Sequence, residues 1–221
     1  RTAETALPQN QRIRAQLREK NVFLPRMPYP EVNIHTHRPT GRGIELRTAG
    51  IHPWDAAGAC AAELLPIGAE VQAIGEIGLD AVRGPAADEQ LRVLREQLAL
   101  AERLGLPVVL HCVRAFEPLM RELAAYTLPG VIFHGFIGSP RQAQRALDAG
   151  CYLSFGLRSF RSPRTVAALR ATPEDRLFCE TDDGPEPIGA VYARMAALRG
   201  AEPEALRRKL WENYERLFAK R

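Results

Sequence analysis

Cysteine is sparse in this 221-residue chain, and its four copies, Cys60, Cys112, Cys151 and Cys179, lie far apart. No Cys-x-x-Cys pair occurs, which argues against a thiolate zinc knuckle. Three of the four sit in or beside apolar runs, where a free thiol behaves as a small hydrophobe, and such usage suits a reducing cytoplasm. No apolar run is long enough to span a bilayer, and no signal-like apolar core opens the numbered chain, so neither a membrane nor an export role is expected. Aromatic residues make up 7%, and none form an evident stacking platform for a single strand. Charge of one sign is also lacking: the net value of +4, with a pI near 9.1, permits a phosphate-bearing ligand without requiring one.

Histidine is scarcer than the length suggests, with only His35, His37, His52, His111 and His134. Their placement is not random. Glu31 to Ile34 alternates polar and apolar residues, as a strand with one buried face does, and it leads into Asn33-Ile34-His35-Thr36-His37. Residues i and i+2 of a strand project to one side, so His35 and His37 point together. Pro107-Val108-Val109-Leu110 ends in His111, and Val131-Ile132-Phe133 ends in His134. Acids take equivalent places: Glu76 within Ala73-Ile74-Gly75-Glu76-Ile77-Gly78-Leu79-Asp80, and Asp182 after Leu177-Phe178-Cys179-Glu180-Thr181. Functional side chains gathered at the carboxyl ends of strands are the pattern of a parallel barrel.

The order of elements supports that reading. Ala86 to Leu104 carries Leu91, Leu94, Leu98 and Ala101 on one helical face, with Gly105 closing it. Ala57 to Leu65 reads as a short helix, and Phe116 to Tyr126 as another. Ser139-Pro140 and Ser162-Pro163 each read as a cap followed by proline at the first helical position. Two more helices are expected near 189–198 and 203–218. Strands are expected to end near residues 37, 51, 77, 111, 134, 155 and 182. Such alternation predicts an α/β chain folded as a TIM-type (β/α) barrel, incomplete or distorted with about seven strands rather than eight. Residues 1–30, interrupted by Pro25, Pro28 and Pro30, are expected to form an arm packed on a barrel of residues 31–221.

Six candidate metal ligands result: His35, His37, Glu76, His111, His134 and Asp182. Four imidazoles and two carboxylates exceed what a single tetrahedral zinc takes. They suit two divalent ions, about 3.5–4 Å apart, that clamp the attacking and leaving oxygens of a displacement. Zinc, manganese, iron or nickel matches the imidazole-rich set, and magnesium is less natural there.

These motifs resemble the TatD family of metal-dependent hydrolases. The resemblance is carried by His35-Thr-His37, the Gly-Ile-His-Pro of residues 50–53, Gly75-Glu-Ile-Gly-Leu-Asp80, Leu-His111-Cys, His134-Gly-Phe-Ile-Gly-Ser139, Tyr152-Leu-Ser-Phe155, Cys179-Glu-Thr-Asp182 and the Asn213 to Phe218 segment. It implies an amidohydrolase-like TIM barrel and a deoxyribonuclease that hydrolyses phosphodiesters. It further implies that His35 and His37 hold one metal with Asp182, that His111 and His134 hold the other, and that Glu76 bridges them. Asp182 and Glu76 are then the catalytic carboxylates, with Asp182 accepting a proton from the attacking water. His52 is expected to contact a substrate phosphate or to support a ligand. Arg114, with Arg38 and Arg158, is placed to meet a phosphate. The expected substrate is DNA or a small phosphoester, and the expected state is a cytoplasmic monomer.

Three departures from the family pattern stand out. Asn33 occupies a position where many relatives carry Asp. Asp183-Gly184 replaces the usual Ser-Pro. Only 12 residues separate His37 from Gly50, too few for the roughly 30-residue βαβ unit that would supply the first helix and second strand. Two further readings therefore stay open: a metal-dependent hydrolase of a small ester, amide or phosphoester, and a degenerate metal-binding barrel acting through a partner.

Overall fold

The computed structural model describes residues 29–31, 43–182 and 184–218. Among these residues there are eight strands: β1 (Tyr29–Glu31), β2 (Gly43–Glu45), β3 (Thr48–Ala49), β4 (Ala73–Asp80), β5 (Val108–Val113), β6 (Val131–Phe133), β7 (Tyr152–Phe155) and β8 (Leu177–Cys179). All pairings are parallel. β1 pairs with β2, and β3 through β8 form a sheet in sequence order. Six helices follow the later strands: α1 (Ala87–Leu104), α2 (Phe116–Leu123), α3 (Pro140–Asp148), α4 (Pro163–Ala171), α5 (Ile188–Arg199) and α6 (Pro203–Phe218).

This is a distorted TIM-type barrel, and the distortion lies where the sequence is short. The strand expected over Ile44 to Ile51 is split. Its first half, β2, pairs with β1, and its second half, β3, pairs with β4. Among the described residues, seven chain segments thus supply the strands, in two separate ladders. β1 lies against β8 and α6, although no ladder joins β1 to β8 among the described residues. The first described strand, Tyr29–Glu31, meets the expected one at Glu31; residues 32–34 lie outside the described residues. Residues 1–28 of the expected arm, and Asn33, His35, His37 and Arg38, lie outside the described residues.

Two apolar layers follow from period-two alternation. Val108, Leu110, Phe133, Leu153, Phe155, Leu177 and Cys179 face the helices and pack on Leu94, Leu98, Leu119 and Met195. Their alternates Val109, Ile132, Tyr152 and Phe178 fill the barrel, closed by Tyr214 and Phe218 of α6. Asn213, fully buried, donates from Nδ2 to the carbonyls of Glu174 and Leu177 and so fastens α6 to the start of β8. The inner rows continue past the apolar layer: Val109 is succeeded by His111, Ile132 by His134, and Phe178 by Glu180.

The caps form as expected. Ser139 accepts from the Gln142 N–H within a capping box, Ser162 accepts from Thr165, and Gly105 closes α1 with φ 61°. The helix expected over Ala57 to Leu65 does not form. Only a 3₁₀ turn at Ala61–Leu64 is present, because Gly58 takes a left-handed φ of 68° and Pro66 follows closely. β4 runs on to Asp80, beyond the expected Ile77, since Gly78, Leu79 and Asp80 keep pairing with β5.

Candidate metal centre

Glu76 reaches the inner face through an irregularity. Alternation from Ala73, which faces inward, would put position 76 on the helix side with Ile74. The β4–β5 register shifts between Ile74 and Ile77, at the cis Gly75–Glu76 peptide, and Glu76 turns inward. Close approach makes this possible. A Cβ on Gly75 would lie 2.8 Å from Val109 Cβ, and one on Gly50 would lie 2.7 Å from the Gly75 backbone.

Three imidazoles converge on one oxygen of Glu76. His134 Nε2 lies 2.6 Å from Oε1, His111 Nδ1 lies 2.8 Å away and His52 Nε2 lies 3.7 Å away. Two of these rings are held from behind by acids. Asp80 Oδ2 stands 3.0 Å from His111 Nε2, and Glu180 Oε1 stands 3.0 Å from His134 Nδ1. The carboxylate behind each ring fixes the outer nitrogen as an N–H; the inner nitrogen, here hydrogen-bonded to Glu76, would turn a lone pair to a cation once it gives up its proton. His52 is wired the other way. Its Nδ1 accepts from the Trp54 backbone N–H at 3.2 Å, so the neutral ring carries its proton on Nε2 and presents a donor to the cleft.

Electrostatics follow this wiring. Burial works to raise the Glu76 pKa, but the charge of His134 and hydrogen bonds from His111, His134 and His52 hold it well below the usual carboxylate range. Asp80 behaves alike: burial opposes the shift, yet Trp54, His111 and the N–H groups of Val82 and Arg83 draw it down to about 2. Burial would lower the His134 pKa, but Glu180 and Glu76 on either side raise it well above the ordinary value. The cluster thus attracts positive charge at its centre. Oε2 of Glu180, the acid behind His134, is buried and has no hydrogen-bond partner among the described residues. Imidazole nitrogens and carboxylate oxygens, backed by outer acids, fit a divalent ion of the zinc or manganese kind.

Asp182 closes the arrangement. With φ 52° it turns sharply after β8, and its Oδ2 lies 3.7 Å from Arg158 Nη1. A cleft of about 820 Å³ is lined by His52, Glu76, His111, His134, Arg158 and Asp182. Of the residues singled out in the sequence, these are therefore gathered. Arg114 is not: with φ 51° it ends β5 and lines an adjoining cavity. Sequence reasoning passed over Asp80 and Glu180 as partners, although both stand inside quoted motifs. It also passed over Gln90 and Gln97, buried two turns apart on α1. Gln97 accepts from the Ile51 N–H at 2.6 Å and donates to the Ile51 carbonyl at 3.1 Å, which positions His52. Gln90 likewise holds the Asp80 backbone at both N–H and C=O. Two glutamines seven residues apart on an otherwise apolar face were the available signal.

The family model for TatD related DNase matches residues 43–219. The chain belongs to the TatD family. It is accordingly a metal-dependent hydrolase, and the sequence resemblance to TatD is borne out. The matched stretch begins after His35 and His37. Similar TatD relatives include the "3'-5' ssDNA/RNA exonuclease TatD" of Erwinia billingiae, 33% identical over 216 residues, with 84% of this chain and 81% of that one covered. The metal-dependent hydrolase YjjV of Escherichia coli is 34% identical over 68% of this chain and 64% of its own. The crystal structure of YjjV superposes with a TM-score of 0.71 at 30% identity, covering 80% of this chain and 78% of that one. An amidohydrolase from Saccharomyces cerevisiae shares the TatD fold at a TM-score of 0.68 and 16% identity, covering 80% of this chain and 81% of its own.

Proposed function

We propose that this TatD-family hydrolase is a nuclease that cleaves phosphodiester bonds with two divalent ions. The observation that carries the reading is the paired wiring of His111 and His134, each with an acid behind it and an inner nitrogen directed at Glu76. His111 and His134 would hold one ion, His35 and His37 with Asp182 the other, and Glu76 would bridge them. Zinc, manganese or magnesium could serve, with the nitrogen-rich set favouring the first two. When bound, the ions supply Lewis-acid polarisation of a phosphoryl oxygen and acidify water at the site.

The chain's own residues do the rest. His52 donates from Nε2 to a phosphate oxygen, because Trp54 occupies its Nδ1. Arg158, mostly exposed at the cleft mouth, meets the substrate's charge. Asp182, just after β8, accepts the proton of the attacking water. The relatives named as single-strand exonucleases support polynucleotide ends as substrate. Four scattered cysteines, two of them buried, support a reducing cytoplasm, and no described helix is long and apolar enough to cross a membrane. We place residues 1–30 as an arm on the barrel and take the working unit as a monomer.

The test is release of nucleotides from a single-stranded oligonucleotide by manganese-loaded protein. Glu76→Gln, His111→Ala and His134→Ala are each expected to remove it. Release that survives all three would overturn the assignment, and a wild-type protein that binds metal but spares every polynucleotide would favour a small ester or phosphoester as substrate.

A further inference from the structure

Beside the metal cleft lies a second cavity of about 560 Å³, which shares Val113 and His134 as walls with the first. It opens between α2 and α3, at the carboxyl ends of β5 and β6. Its volume falls in the range of roughly 300–1,000 Å³ that small-molecule sites occupy. We propose that this cavity binds the nucleoside next to the scissile phosphate, which deepens the nuclease reading and rests on it.

Three observations converge. First, the lining is apolar: the buried core residues Phe116, Phe133 and Phe136 border the cavity, and Ile137 stands at the wall with 59% of its surface exposed. An uncovered isoleucine on an apolar wall suits one flat apolar face, such as a base. Second, Arg114 and Arg164 line the same cavity, both are exposed, and no carboxylate pairs with either among the described residues. Glu117, the acid at this wall, is paired with Arg145. The guanidiniums are therefore available to a flanking phosphate. Third, Gln142 has a fixed orientation. Its Oε1 accepts from the Ser139 N–H at 2.9 Å and from Ser139 Oγ at 3.1 Å, so this lining residue has its NH₂ left to donate. That places a donor where a base carbonyl oxygen would reach. A phosphate beside His134 puts its attached nucleoside within one sugar's length of this cavity.

Calorimetric titration of the full chain with thymidine 5'-monophosphate and, separately, with inorganic phosphate tests the assignment. The double variant Ile137→Asp with Arg164→Glu, altering two exposed side chains, is expected to weaken nucleotide binding by about tenfold or more, and phosphate binding distinctly less. Equal weakening of both ligands, or no nucleotide binding by the wild type, overturns the proposal. Oligonucleotide cleavage by the wild type is scored apart: nucleotide binding in this cavity without cleavage would sink the nuclease reading and leave the nucleoside site standing.

Discussion

Asp80 and His111 face each other across 3.0 Å, Oδ2 to Nε2, and this pair decides which nitrogen of the imidazole looks into the cleft. Trp54 donates to the same Oδ2 at 2.7 Å and so holds the carboxylate in place. Asp80→Ala is expected to weaken zinc or manganese binding by about 10–100-fold, and Trp54→Phe by less. Titration of chelator-stripped protein with metal measures both. Unchanged affinity in Asp80→Ala would mean that His111 does not ligate an ion.

The same carboxylate makes stability depend on acid. Its pKa is lowered on folding from an ordinary 3.8 to about 2, so its stabilising contribution is complete above 3.8 and fades as pH falls toward 2. Asp80→Asn should therefore be less stable than the wild type at pH 6, with the gap narrowing through that acid window. Urea midpoints measured in chelator across the range give the curve, and a gap that widens in acid would contradict it.

Gly78 is irreplaceable on geometric grounds. Its φ is 150°, and a Cβ there would run into the carbonyl oxygen of His111 on the paired strand. Gly78→Ala is expected to cost about 1–3 kcal/mol or more, and to weaken metal binding by displacing His111. Denaturation and metal titration on one preparation report both losses.

Gln97 answers both backbone groups of Ile51 with one amide. Gln97→Leu leaves a partly buried N–H and C=O without partners, at a cost of about 1–3 kcal/mol. Gln97→Glu can accept but not donate, and should fall between leucine and the wild type. Equal stability of all three in urea would deny the clamp any role.

Thiol chemistry should separate the cysteines. Burial pushes Cys112 up to about 11 and Cys151 up to about 12, so neither is a thiolate near neutrality. Cys60 is exposed, whereas Cys151 and Cys179 are buried. A thiol reagent at pH 7.5 is expected to modify Cys60 first and the buried pair only after denaturant is added, as mass spectrometry of timed samples would reveal.

Much of the site was legible because a strand's geometry is local. His111 and His134 each stand two places after an apolar residue of the inner row, and alternation alone puts them in the barrel mouth. Asp182 was legible as an acid following an apolar run, although β8 itself ends at Cys179 rather than near 182. Glu76 was found by its motif, whereas strict alternation would have turned it toward the helices; a register shift against β5 brings it inward. The short helix over Ala57 to Leu65 was misread because apolar alanines suggested helix while Gly58 interrupts it. The split of the second strand could be anticipated only as a shortage of residues between His37 and Gly50, not as a strand shared between two neighbours.

By itself, then, the order of residues determined the parallel βα architecture, the helix caps at Ser139 and Ser162, and the end of the barrel where the imidazoles collect, since each depends on backbone periodicity within a few residues. Tertiary structure alone decided that Asp80 and Glu180 stand behind the two histidines, that His52 shows a proton rather than a lone pair, and that a second cavity adjoins His134. Those outcomes depend on twist, register and close glycine contacts between strands distant in sequence, which set the distances across which hydrogen bonds form.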